Sequence, residues 1–224
     1  MKNLILPIAL AAILLTACSK EESVEQFEEQ NIDSVYVLNQ FNETSYWDTM
    51  EVDEFQRSTD NTNLENSVAR ESNTRGHYLP SSRDAMIIQW TGSQTEQNTS
   101  GRAELKQSNP NFSFHFKLET ECVMVDGNKA VYGGIITQVI ELSGNAPDIG
   151  VGWRIYFNVI DNGEGGVPGG IVPYDQIANK TIFASPRSIS LCNVYLPNDN
   201  IWSSQGYTEV TEPGFVVVNN YPTE

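Results

Sequence analysis

FSFHFKLETECVMVDGNKAVYGGIITQVIEL, residues 112–142, decides the fold. Phe112, Phe114, Phe116 and Leu118 alternate with Ser113, His115 and Lys117. A repeat of two places every second side chain on one face of a strand, so this segment has an apolar face and a wet one. TECVMV then runs into Asp126-Gly127-Asn128, a turn signal whose glycine tolerates positive φ, and KAVYGGIITQVIEL answers it. Residues 119–142 therefore read as a β-hairpin, with Gly133 and Gly134 marking a bulge or sharp bend in its second arm.

Outward from the hairpin the same pattern recurs. WRIYFNVI, residues 153–160, sets Trp153, Ile155, Phe157 and Val159 on one face, and AMIIQW (85–90), GRAELK (101–106), SISLCNVYL (188–196) and FVVVNN (215–220) are further strand candidates. No apolar helical period of ten or more residues competes with them, and no internal repeat of fixed length is visible. Seven or more short strands over 76–224 predict one antiparallel all-β domain, a β-sandwich or flattened barrel.

The segment before it differs in composition. Residues 18–75 read as an acidic, largely disordered tether, since runs such as RSTDNTNLENSVARESNTRG hold too little apolar surface to offset the entropy of ordering them. SVYVLNQF (34–41) and SYW (45–47) are the exceptions, able to dock on the domain as a strand or short helix. Formal net charge is −16, with 13 Lys and Arg against 29 Asp and Glu. An anionic surface without clustered cations excludes nucleic acid as a partner.

At the start of the chain, Lys2 precedes the uncharged stretch LILPIALAAILLTA, which is shorter than the roughly 20 residues that cross a bilayer as a helix. Residues 1–17 thus read as a signal peptide. Leu15, Thr16 and Ala17 lead into Cys18, and this junction resembles the lipobox of bacterial lipoproteins. The resemblance implies cleavage after Ala17, a diacylglycerol on the Cys18 sulfur and an acylated amino terminus, which together make a durable membrane anchor. Ser19, Lys20, Glu21 and Glu22 resemble the export signal of Bacteroidota-type surface lipoproteins, which implies the outer membrane and its outer face. Asp33-Ser34-Val35 and Asp48-Thr49-Met50 resemble short O-glycosylation acceptors of the same bacteria. Finally, ECVMVDGNKAVYGGIITQVIE followed by GWRIYFNVIDNGEGG is similar to a domain of uncharacterised secreted bacterial proteins, with specific matches from Cys122 to Gly166. That similarity implies a β-rich secreted module and no activity.

With Cys18 assigned to lipid, Cys122 and Cys192 remain as an even pair, either a disulfide closing a loop of about 70 residues or two buried thiols. Neither sits in a metal or redox spacing.

Catalytic and ligand signals are sparse. Asp161, Asn162 and Glu164 sit in the glycine-rich loop VIDNGEGGVPGG, where, with Asp175 folded back, they form either a calcium site or a backbone-bonded turn. Glu119 and Glu121 are two apart, hence expected on one sheet face, as solvated charges or, with the Asp161 loop, as the carboxylates of a glycan hydrolase. His77 and His115 have no ligand spacing, no serine sits in G-x-S-x-G, and neither GxGxxG nor a P-loop occurs. Trp90 and Trp153 fall in strand patterns and are expected in the core, whereas Trp202, in NDNIWSSQG, is the candidate for an exposed binding surface. The reading that follows is a lipid-anchored, non-catalytic envelope protein without cofactor or metal, with a glycan or protein ligand; a secreted hydrolase and a calcium-dependent adhesion module are the alternatives.

Overall fold

The computed structural model describes residues 35–41, 44–50, 71–80, 86–163, 174–188, 190, 200–203, 206–211 and 214–221. Its centre is the expected hairpin, longer than predicted. Strand β6 (Phe112–Asp126) and strand β7 (Lys129–Gly144) pair from Asp126 against Lys129, leaving Gly127 and Asn128 as a two-residue loop. Gly127 takes φ 62° there, the left-handed region that a glycine enters without a Cβ clash. The alternating phenylalanines point inward: Phe114 and Phe116 are fully buried, and their rings stack with centroids 5.1 Å apart.

From this hairpin one antiparallel sheet grows in both directions. Beside β6 lie β5 (Thr99–Ser108), β4 (Ile87–Gln94), β3 (Glu71–Tyr78) and, at the end, β12 (Phe215–Tyr221). Beside β7 lie β8 (Arg154–Ile160), β10 (Lys180–Ala184), β1 (Val35–Phe41) and β2 (Thr44–Met50). The short β9 (Gln176–Ala178) continues the β10 edge of β8 and carries β11 (Tyr207–Glu209). Between β9 and β10, Asn179 breaks the line: its N–H donates to Gly206 O at 3.1 Å, and its carbonyl accepts the Gln40 N–H at 2.7 Å. One edge of β8 thereby serves two neighbours.

Among the described residues twelve strands form a sheet that is not closed, and the twist inherent in such sheets folds its two wings face to face. Trp90 of β4 meets Phe157 of β8 edge-on at 5.3 Å, and Trp47 of β2 meets Phe114 of β6 at 6.0 Å and Phe183 of β10 at 4.9 Å. This is the mostly β, sandwich-like architecture expected from the alternation. Burial of the aromatic side chains supplies its main stabilisation, on the order of 2 kcal/mol for each large apolar side chain removed from water.

The β8–β10–β1 wing is covered on both faces. Ile155, Phe157 and Val159 enter the main core, while Tyr156, with Ile182, Ala184, Val35, Val131 and Cys122, forms a second cluster closed by Trp202. Trp202 belongs to a single helical turn, α1 (Asn200–Ser203). Two-sided burial explains why all five residues of KTIFA in β10 are buried and why no alternation announces the strand.

Two expectations are corrected. The β-domain does not begin at residue 76: residues 31–224 form one unit, and β1 and β2, within the presumed tether, and β3, across its end, are integral strands. VYVLNQF is a strand because Val35, Val37 and Leu38 are needed in the core; β3 (ESNTRGHY) is polar, yet its Thr74 is buried and accepts the Trp90 indole N–H at 3.1 Å. The second arm does carry extra residues, Thr137 and Ile140, but opposite Gly133 and Gly134 the extra residue is in the first arm. The register shifts between Thr120 and Cys122, so Glu121 is the extra residue, opposite Gly133 and Gly134. Residues 1–30, 51–70, 164–173 and 191–199, which include the signal peptide, Cys18, Glu164 and Cys192, lie outside the described residues, as do Asp33 and Ser34 of the first acceptor triplet.

Candidate functional site

Strands β4, β5, β6 and β7 turn Trp90, Ala103 and Leu118 into the core, so their other face carries the intervening polar residues outward. Register stacks these into rungs. Gln89 stands opposite Glu104, and Glu104 opposite Lys117; on the next rung Thr91 stands opposite Arg102, and Arg102 opposite Glu119. Together with Thr137 they line a depression of about 490 Å³. Its floor is sheet backbone, since the Trp90 ring faces the opposite way, against Phe157.

At one rim His115 Nε2 lies 2.6 Å from Glu104 Oε1. Among the described residues Arg102, Lys117 and Glu119 take part in no ion pair, although each stands beside an opposite charge in the sheet register. Thr137 Oγ1 donates to the Lys117 carbonyl at 3.2 Å. The depression therefore presents charge-bearing side chains and hydroxyl or amide groups that are available to a polar ligand.

Glu121 has a different setting. On the face it shares with Glu119 it reaches toward β8: its Oε1 accepts the Arg154 Nε–H at 2.7 Å and its Oε2 the Tyr156 hydroxyl at 2.7 Å. Arg154 Nη1 also donates to the carbonyls of Pro186 at 3.0 Å and Ser188 at 3.2 Å. The side chains of Glu121 and Arg154 are 16% and 19% exposed, so this is a largely dry ion pair tying β6, β8 and the turn after β10.

Asp161 and Asp175 do come together, and what they hold is backbone. Asp161 Oδ1 accepts Gly163 N–H at 2.8 Å and its Oδ2 accepts Val218 N–H at 2.9 Å. Asp175 Oδ1 accepts Asn162 N–H at 2.9 Å and its Oδ2 accepts Val216 N–H at 2.8 Å. All four carboxylate oxygens are thus engaged by amide donors, the turn alternative of the sequence reading extended into a clasp on β12. Among the described residues no group of three or more His, Cys, Asp and Glu is arranged to hold a metal ion.

Of the carboxylates proposed for hydrolysis, only Glu119 lines the depression; Glu121 faces Arg154, and Asp161 and Asp175 face β12. Glu119 and Glu121 share the outer face as expected, since Glu119 stands in register with Ile135 and Arg154, and Arg154 and Tyr156 hold Glu121; the bulge adds Cys122 to the same face. Trp202, expected as the exposed tryptophan, is fully buried, because it seals the second face of the wing. Trp90 is in the core as expected, and Trp153 is partly buried, stacked on Tyr36 at 5.6 Å and 17°. The residues that sequence reasoning missed are Arg102, Glu104 and Lys117: GRAELK was legible as a strand, but which side of it would border a depression depends on neighbours distant in the chain.

Fold and site together define a folded-over antiparallel β-sheet protein with a polar depression on its outer face. No protein-family model matches the chain, and no curated protein or solved structure shows significant similarity to it.

Proposed function

We propose that this chain is a bacterial cell-envelope lipoprotein, carried at the outer membrane by lipid on Cys18, whose β-domain has a non-catalytic binding role centred on the β4–β7 face. The observation that carries the placement is the uncharged stretch LILPIALAAILLTA ending at Cys18 and followed at once by Ser19, Lys20, Glu21 and Glu22. The β-domain adds a constraint. Its first strand starts at Val35, leaving residues 19–34 between the acylated cysteine and the fold, and 16 residues reach at most roughly 55 Å when fully extended.

A disulfide between Cys122 and Cys192 belongs to this reading, since the export route leads to an oxidising compartment. Cys122 is buried in the second cluster, beside Tyr156 and Gly133, where a bridge would tie the hairpin to the segment preceding α1.

The test is metabolic labelling with a clickable fatty-acid analogue. The full chain is expected to take up label and partition with membranes, and Cys18→Ala to do neither; equal labelling of both proteins, or of neither, would refute the anchor.

A further inference from the structure

From the depression on the β4–β7 face, we infer a binding site for a carboxylate-bearing saccharide, with Arg102 and Lys117 taking the carboxylate and Glu119, Gln89 and Thr91 reading the ring hydroxyls. This inference rests on the binding role proposed above and names the ligand class.

Charge is the first argument. The chain carries −16 overall, so an anionic ligand is repelled by most of its surface. On this face the balance is different: Arg102, Lys106 and Lys117 are all exposed and stand against Glu104, Glu119 and, toward the rim, Glu141. Glu104 is engaged by His115, and Glu141 by the Ser113 hydroxyl. The two cations of the depression itself form no ion pair among the described residues, so they meet an incoming anion without first breaking one. A guanidinium presents paired N–H donors that match a carboxylate, and Lys117 lies diagonally across from Arg102 on the adjacent strand, within reach of the same group.

Shape and lining argue for a saccharide rather than an acidic peptide. At this place β4, β5 and β6 are paired on both sides, so no free strand edge is open for a peptide backbone to join. Nor does the floor offer an apolar pocket for side chains, because Trp90, Ala103 and Leu118 are buried on the far side. What remains is a row of amide, hydroxyl and carboxylate groups at the spacing of neighbouring strands, about 4.8 Å, comparable to the separation of hydroxyls across a sugar ring.

The experiment is isothermal titration calorimetry on the full chain in detergent micelles with three probes: tetragalacturonate, neutral galactotetraose and hexaglutamate. Tetragalacturonate is expected to bind, to weaken as salt is raised, and to lose about tenfold or more in affinity in both Arg102→Ala and Lys117→Ala, with the melting temperature of each variant unchanged. Equal binding of galactotetraose would overturn the carboxylate assignment, and equal binding of hexaglutamate the saccharide assignment, while either one, lost in Arg102→Ala, would leave the binding role of the face intact. Binding unaffected by both substitutions, or no binding of any probe, would overturn the site. The anchor stands or falls separately, on the acyl labelling of Cys18.

Discussion

The Val218 amide donates a 2.9 Å hydrogen bond to Asp161 Oδ2 across 57 residues of sequence, and the neighbouring Val216 amide donates to Asp175 Oδ2 at 2.8 Å. Among the described residues strand β12 is at the end of the sheet and pairs only with β3. In an antiparallel strand alternate amides point to opposite edges, so Val216 and Val218 present theirs on the side away from β3, where no described strand follows. An unpaired edge of this kind invites association with other chains. Two carboxylates stand in for the missing strand, and they close the fold without closing the sheet.

Asp161→Ala and Asp175→Ala are each expected to destabilise the domain by about 2 kcal/mol, because each leaves two amide donors without acceptors. Urea denaturation reads the loss, and native-state hydrogen exchange is expected to show Val216 and Val218 as the amides whose protection falls first. Midpoints within error of wild type would mean that water replaces the carboxylates at no cost.

Asp175 takes up its proton more readily than an exposed carboxyl does. Burial raises the Asp175 carboxyl above its ordinary value of 3.8 by more than the bonds from Val216 and Asn162 lower it, and the Asp161 charge adds to the rise. A folded-state value above the unfolded one means that the native state holds this proton more tightly, so the stability contributed through its titration is full below the unfolded value and is lost as pH rises through the folded one. The stability of wild type relative to Asp175→Asn is therefore expected to increase between about pH 7 and about pH 4. Denaturant midpoints of the two proteins across that window check it, and a shrinking difference on acidification would contradict the assignment.

Gly133 faces the bulge at close quarters: a Cβ there would stand 2.6 Å from Cys122 Sγ and 2.7 Å from the Tyr156 ring. Gly133→Ala is expected to cost roughly 1–3 kcal/mol by overpacking the second cluster. At Gly127 a Cβ meets nothing within 4 Å and only the φ of 62° opposes it, so Gly127→Ala should cost about 1 kcal/mol. Thermal unfolding of the two variants tests the order, which a larger loss at Gly127 would reverse.

Glu121→Ala removes the acceptor of both Arg154 and Tyr156 in a largely buried setting. A loss of about 2 kcal/mol is expected, with Glu121→Gln intermediate because the amide oxygen still accepts from Tyr156. A double-mutant cycle with Tyr156→Phe should show coupling; strictly additive losses would place the two residues in separate environments.

For the proposed Cys122–Cys192 bridge, mass spectrometry of the alkylated, unreduced protein should show neither cysteine modified. Reduction should lower stability by about 4 kcal/mol, the chain-entropy value for a loop of about 70 residues. Alkylation of Cys122 in the native, unreduced protein would refute the bridge.

Local chemistry wrote much of this molecule. The alternation of Phe112, Phe114, Phe116 and Leu118, the Asp126-Gly127-Asn128 turn and the face of Ile155, Phe157 and Val159 could be read directly, because a strand's two faces and a tight turn's φ angles depend on residues a few positions apart. The uncharged stretch that ends at Cys18 is likewise a matter of sequence, and with the residues after it motivates the proposed anchor. Tertiary structure decided the rest. ESNTRGHY becomes a strand because Thr74 meets Trp90 and because β4 and β12 offer it ladders on both edges; nothing in its own composition demands one. Trp202 is buried because the second face of the β8–β10–β1 wing needs a cover, and Asp161 and Asp175 became edge caps because the twist of the sheet delivers β12 to them. Pairings between residues tens of positions apart are selected by the total burial of the folded sheet, and no window of sequence contains both partners.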